Sequence, residues 1–138
     1  MKAYRASLLR FDDAGAAVFD TDGLLVTGPD ATGRRVVQAA GSHDALAARY
    51  AHVPVEHLPG RILAPGFLDL HIHYPQTDVI GSPAEGLLPW LEHYTFPHEA
   101  RFAEADYAAD VATFFLDELA RNGVTTALTF ATSHPGSV

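Results

Sequence analysis

The sequence predicts an α/β fold in two parts. Three observations support this prediction. Residues 1–61 contain short apolar stretches separated by turn residues, as in a small β-rich module. A buried strand is predicted between Gly66 and Pro75. A helix at 103–122 is followed directly by a strand at 124–130. Because a strand, a long crossover with a helix and a second strand form a parallel pair, residues 62–138 are predicted to contain a βαβ unit.

The first part is predicted to consist of a few strands and one helix. Residues 3–11 alternate loosely, and a strand at 23–27 is joined by a turn-rich connection to a strand at 34–40, which predicts a hairpin. A helix is predicted to begin after Ser42, a good N-cap residue, and to end before Pro54. The proline and glycine a few residues later mark the boundary of this part. None of its residues has a predicted chemical role.

The helix of the second part has the clearest periodicity. Apolar residues recur at spacings of three and four, acidic residues stand at its start, and Gly123 supplies the C′ position. The strand that follows is rich in β-branched residues, which favour strands. The apolar stripe consists of Ala108, Val111, Ala112, Phe115 and Leu119.

A long connection, residues 74–102, separates the first strand of this part from the helix. It contains four prolines and two glycine breaks, so we expect a loop without regular structure. Connections of this length are usually functional or disordered. Aromatic residues within it, among them Trp90, Tyr94 and Phe96, favour an ordered loop.

The run Asp-Leu-His-Ile-His in the predicted buried strand carries the chemistry. Side chains alternate between the faces of a strand, so Asp69, His71 and His73 are predicted to project together, with the intervening apolar residues on the other face. Since zinc–nitrogen bonds are about 2.0–2.1 Å long, both imidazoles can reach one divalent ion. Asp69 could accept a hydrogen bond that orients a ligand. An isolated His-x-His can also occur by chance on an exposed strand.

Composition excludes several other classes. The formal net charge is −8, from 17 acidic and 9 basic residues, so we expect no nucleic-acid or anionic-membrane partner. The chain contains no cysteine. This excludes disulfides and the class of zinc deaminases that bind their metal through cysteine. No N-terminal apolar leader and no long apolar run is present, so we expect a cytoplasmic protein that spans no membrane.

The run Pro-Gly-Phe-Leu-Asp-Leu-His-Ile-His at 65–73 resembles the first barrel strand of the amidohydrolase superfamily, which carries two metal ligands. Within that superfamily the chain is similar to the guanine deaminase family, and the similarity extends from about residue 65 to 137. The first sixty residues resemble that family only in their general character. The motifs are Gln76, Leu-Leu-Pro-Trp-Leu at 87–91, Tyr-Thr-Phe-Pro at 94–97, Asn-Gly-Val-Thr-Thr-Ala at 122–127 and Phe-Ala-Thr-Ser-His at 130–134.

The resemblance implies a (β/α)8 TIM barrel preceded by a small β-sandwich. Residues 62–138 would then supply strand 1, a long active-site loop, helix 1 and strand 2. A complete barrel needs about 250 residues, whereas this chain has 138. We therefore expect an incomplete barrel and the N-terminal portion of a longer enzyme. Alone, such a chain is expected to be inactive and to self-associate through its open sheet edge.

The implied activity is the metal-dependent hydrolysis of guanine to xanthine and ammonia, a step of purine catabolism. The resemblance implies one Zn2+ per complete site, with His71 and His73 among its ligands, and a homodimeric full-length protein. It implies that the segment from His73 to Gln76 contacts the base, and a primary amide at Gln76 suits a purine edge. No general acid or base can be assigned, because the family's remaining ligands and its glutamate lie on later strands. The residues implied at the substrate are His73, Tyr74, Pro75 and Gln76.

Two further residues are candidates for this site. Trp90 could cover a planar substrate or could pack against outer helices or a neighbouring subunit. His134 follows the second strand and is expected on the same rim as His73.

Two alternatives to guanine deamination stay open. One is another amidohydrolase of the chlorohydrolase or pyrimidine deaminase type. The other is a non-catalytic folded fragment in which the two histidines of the first barrel strand are vestigial.

Overall fold

The computed structural model describes residues 1–138 and divides into two compact units, Met1–Pro65 and Gly66–Val138. The first contains a four-stranded sheet, whose strands are β1 Lys2–Phe11, β2 Ala17–Pro29, β3 Arg35–Ser42 and β4 Val55–Leu63. Their order in the sheet is β3-β2-β1-β4. The neighbours β1 and β2, and β2 and β3, are antiparallel, whereas β4 pairs with β1 in parallel.

The hairpin predicted in this unit is confirmed, but β2 begins earlier than the predicted start at residue 23 and β4 was not predicted. Pro59 and Gly60, predicted to mark a boundary, lie inside β4. The register shifts from the pair Arg5 and His57 to the pair Ser7 and Ile62, so the intervening residues bulge out of the ladder. A bulge accommodates both the missing N–H of a proline and the positive φ of Gly60, which is 71°.

The helix of this unit is shorter than predicted. Ser42 is its N-cap, as expected, and its hydroxyl accepts a hydrogen bond from the Ala45 N–H at 3.4 Å. The helix α1 (His43–Leu46) ends well before Pro54, and a series of turns follows it. This segment packs on one face of the sheet, where Tyr50 and Val53 meet core residues of β1 and β2. The unit contains a single sheet, so the β-sandwich stays a prediction.

The second unit is the predicted βαβ arrangement. Its strands β5 (Phe67–His73) and β6 (Val124–Phe130) pair in parallel, and the helix α4 (Ala105–Arg121) connects to β6 through Gly123, whose φ is 79°. The α/β class is therefore confirmed, with a two-stranded sheet that is not closed into a barrel. The predicted apolar stripe of α4 is confirmed as the core face, and it packs with Tyr74 and Phe102.

The prediction of an irregular connection before α4 is wrong. The segment is a series of short helical turns, in which Pro75 and Pro97 each occupy the first or second position of a turn. At Pro75 the missing N–H costs no hydrogen bond, because the preceding His73 is extended and the N–H would have no partner within the helix. Pro97 instead follows directly on the π-helical turn, where the backbone is already helical. The turns are the 3₁₀ turn Tyr74–Val79, α2 Leu87–Trp90, the π-helical turn Leu91–Thr95, α3 Phe96–Ala100 and the 3₁₀ turn Arg101–Ala103.

A last 3₁₀ turn, Pro135–Ser137, follows β6. None of the helices in the structure combines the length and the apolar character needed to cross a membrane.

Candidate active site

The two imidazoles at the end of β5 converge. The Nε2 atoms of His71 and His73 lie 3.4 Å apart, and the ring centroids are 5.4 Å apart. Two nitrogens bound to one tetrahedral zinc ion at about 2.0–2.1 Å would be separated by about 3.3–3.4 Å. The spacing of the two Nε2 atoms therefore suits adjacent corners of one coordination tetrahedron.

The aromatic ring of Phe130, which the sequence interpretation missed, supports both histidines. Phe130 is the register partner of His73 on β6, and the two rings are stacked at 4.6 Å with an interplanar angle of 12°. The centroid of the His71 ring lies 5.0 Å from that of Phe130. Only the register of a parallel pair decides which residue of β6 faces His73, so the strand sequences alone did not identify this contact.

Within residues 1–138 the donor set for a metal is incomplete. No three His, Cys, Asp or Glu side chains are grouped so that they could hold an ion. Asp69, expected to orient a ligand, accepts a hydrogen bond from the backbone N–H of His71 at 3.1 Å. This contact over two residues fixes the local backbone. The two imidazoles thus fit a divalent ion chemically, but they supply half of a tetrahedral shell.

Tyr74 and Pro75, predicted at the substrate, have buried side chains. The Tyr74 hydroxyl donates a hydrogen bond to the carbonyl oxygen of Ser137 at 2.7 Å, and its ring meets Phe102 edge to face at 5.4 Å. Burial raises the pKa of the Tyr74 hydroxyl. Both side chains are thus committed to the core of the unit, where they anchor the turn that carries Gln76.

Gln76 is partly buried and faces the end of α3. Its amide nitrogen Nε2 donates a hydrogen bond to Oε1 of Glu99 at 3.2 Å. Glu99 in turn lines a depression of about 250 Å³ that also contains His134. The structure therefore groups two predicted site residues with Glu99, which the sequence interpretation did not single out. The other lining residues are Phe96, Ala100, Thr132 and Ser133.

The loop after β6 is held by hydrogen bonds that converge on Ser137. The Ser137 hydroxyl donates to the carbonyl oxygen of His134 at 2.8 Å and accepts from the backbone N–H of Thr132 at 3.2 Å. The Thr132 hydroxyl accepts from the backbone N–H of His134 at 3.1 Å. These contacts fix the backbone of His134 beside the depression. Trp90, in contrast, is half-buried in α2 and does not line it.

Together, the fold and the site define a class of protein. In this class, two histidines at the end of a parallel strand can bind the same metal ion. Residues 62–137 match the Amidohydrolase family. The chain belongs to the amidohydrolase family.

Known proteins with sequences similar to this chain include guanine deaminases. The chain is 51% identical over 79 residues to the guanine deaminase of Escherichia coli, covering 57% of this chain and 18% of that protein. It is 40% identical over 146 residues to a probable guanine deaminase of Deinococcus radiodurans, covering 100% of this chain and 33% of that protein. The chain therefore spans a third or less of the length of these relatives.

Solved structures give the same result. The crystal structure of guanine deaminase from Bradyrhizobium japonicum superposes with a TM-score of 0.87 at 35% identity, covering 99% of this chain and 30% of that chain. The E. coli guanine deaminase superposes with a TM-score of 0.82 at 38% identity, covering 99% of this chain and 33% of that chain.

Proposed function

We propose that this chain forms the N-terminal part of a guanine deaminase, which hydrolyses guanine to xanthine and ammonia. The observation that carries the proposal is the 3.4 Å separation of the Nε2 atoms of His71 and His73 at the end of β5. The similarity to guanine deaminases along the whole chain supports the choice of substrate. In this proposal residues 1–61 form the small β-rich module, and residues 62–138 form the first βα units of a barrel whose other strands lie outside this chain.

His71 and His73 would hold Zn2+ through their Nε2 atoms. When bound, zinc lowers the pKa of water to about 7, so that a nucleophile is available at neutral pH. Phe130, packed against both rings, would keep the imidazoles in their convergent orientation. The remaining ligands, the general acid and the general base would come from residues outside this chain, and no residue of this chain is assigned one of those roles.

The rim of the site would bind the base. Gln76 presents a primary amide, which suits the polar edge of guanine. His73 would lie beside the reacting carbon, and His134 would line the neighbouring depression. Tyr74 and Pro75 would act by anchoring the backbone between His73 and Gln76. We further propose a cytoplasmic homodimer and a β-sandwich completed by later residues, on the family resemblance alone.

The proposal is tested with the purified full-length protein that carries this chain, loaded with zinc. Guanine, cytosine and a chlorinated triazine are supplied separately, and release of ammonia or chloride is measured with the product. Guanine should give equal amounts of xanthine and ammonia, with little turnover of the others. Turnover of cytosine or the triazine without turnover of guanine would contradict the proposal and favour another amidohydrolase activity.

A further inference from the structure

We propose that Glu99 is a positioning residue that fixes which end of the Gln76 amide faces the substrate. The inference rests on the proposed function and extends it to a residue outside the β5 strand end. Its basis is the hydrogen bond of 3.2 Å from Nε2 of Gln76 to Oε1 of Glu99, which joins residues 23 apart in the chain. Glu99 has no ion pair and makes no other side-chain hydrogen bond in the structure.

A carboxylate accepts hydrogen bonds and cannot donate them. The Gln76 amide must therefore turn its nitrogen towards Glu99, since the opposite orientation would bring two oxygens together. This leaves the amide oxygen of Gln76 as an acceptor for the base. Guanine has adjacent donors, the ring N1–H and the exocyclic amino group, that an acceptor can recognise. Glu99 would thus determine that Gln76 recognises donors of the base.

Both partners are held by buried neighbours. Gln76 lies in a 3₁₀ turn between the buried residues Pro75 and Val79. Glu99 lies in α3, immediately before a turn whose Phe102 is completely buried. The contact therefore joins two anchored turns, and the orientation it imposes on the amide does not depend on a mobile loop end.

The central test replaces Glu99 by glutamine in the full-length protein. E99Q keeps the shape of the side chain but can donate as well as accept, so the Gln76 amide loses its fixed orientation. We expect the KM for guanine to rise at least about twofold, because an amide that can take either orientation presents its oxygen to the base only part of the time. The kcat should stay at the wild-type value, because the reacting atoms are untouched. The control is E85Q, at an exposed glutamate of the same connection, which should leave both constants unchanged.

A double-mutant cycle shows whether Glu99 acts through Gln76. In a Q76A background there is no amide to orient, so adding E99Q should leave kcat/KM unchanged. Independent effects that multiply in the double variant would overturn the proposal. So would an unchanged KM for E99Q with wild-type turnover of guanine.

Folding and function are separated by measuring the unfolding midpoint of each variant. Partial unfolding lowers the apparent kcat by reducing the amount of active protein, and it leaves the KM unchanged. A loss of kcat that follows the loss of folded protein, at constant KM, would therefore assign Glu99 a structural role and overturn the proposal. A wild-type protein that does not turn over guanine would instead refute the proposed function itself.

Discussion

At the scale of single residues, the period of two in a strand was enough to predict that the imidazoles of His71 and His73 converge. The structure confirms the convergence, with the two Nε2 atoms at 3.4 Å. Their role as zinc ligands stays a prediction. Phe130, Glu99 and Ser137 were not predicted, because their contacts depend on strand register and on the packing of loops that are far apart in sequence. No local pattern in the sequence encodes such contacts.

The stacking of Phe130 on His73 leads to a prediction about metal affinity. F130L keeps an apolar side chain but removes the flat surface against which both imidazoles pack. In the full-length protein, zinc affinity should fall by about tenfold, as for other residues that orient metal ligands. Competition with a chelator measures it.

The matched control is F67L, because Phe67 pairs with Val124 at the other end of the same sheet. Zinc affinity of this variant should stay at the wild-type value. Equal affinity of F130L and wild type would show that the ring has no part in holding the histidines.

At the scale of secondary-structure elements, the helix α4 and both strands of its unit were predictable because their periodicity is local. The connection before α4 was not, since prolines that suggested a loop instead occupy the first turns of short helices. Those turns are fixed by tertiary contacts such as the buried Phe102 and Tyr74. Sequence periodicity cannot reveal elements of four or five residues that depend on such contacts.

The entrance to β5 requires a glycine. A Cβ built on Gly66 would lie 2.7 Å from the Cβ of Thr125 and closer still to its γ atoms. G66A should therefore destabilise the protein by about 1–3 kcal/mol, as other overpacked sites do. Urea unfolding measures the effect.

G86A is the control, because nothing lies within 4 Å of a Cβ at Gly86. Removing the clashing side chain in G66A/T125G should recover part of the lost stability. If G66A is as stable as G86A, the close approach of Gly66 to Thr125 is not a feature of the folded protein.

Tyr107 connects α4 to the turn after β5 and gives the protein a pH dependence. Its hydroxyl donates a hydrogen bond of 2.7 Å to the Asp78 carboxylate. Burial, together with the hydrogen bond to Asp78 and the charge of that carboxylate, raises the pKa of Tyr107 from 10.0 to about 12. Below pH 10 the hydroxyl is protonated in both the folded and the unfolded chain. Between pH 10 and 12 the unfolded chain releases the proton first, so stability should fall as the pH rises.

The measurement is the free energy of unfolding of wild type and Y107F across that pH range. Y107F has no hydroxyl to titrate at this position, so its stability should fall less steeply. Parallel curves for the two proteins would show that Tyr107 titrates alike in the folded and unfolded states.

At the scale of the whole molecule, the length of the chain was the most informative property for predicting the fold. The charge balance and the absence of cysteine reduced the number of protein classes that fit the sequence. The length of 138 residues predicted an incomplete barrel. The structure contains a two-stranded sheet, β5 and β6, in which Leu68, Leu70 and Leu128 are all more than 60% exposed. The extent of the first module could not be predicted, because the bulge that keeps Pro59 and Gly60 inside β4 depends on pairing with β1.

These exposed strands predict the behaviour of residues 1–138 expressed alone. Unpaired sheet edges and apolar strand faces favour association between copies. We expect oligomers that grow with concentration in light scattering, and no measurable release of ammonia from guanine. A stable monomer with guanine turnover would contradict this expectation.

The most direct test of the account is the zinc content of the full-length protein with and without its histidine pair. Wild type should bind about one zinc ion per chain, whereas H71A/H73A should bind almost none and lose guanine turnover. The control variant H52A/H93A, altered at two exposed histidines, should keep both properties. If H71A/H73A retained the zinc content and the turnover of wild type, the two converging imidazoles would not be the metal ligands and the proposed mechanism would be wrong.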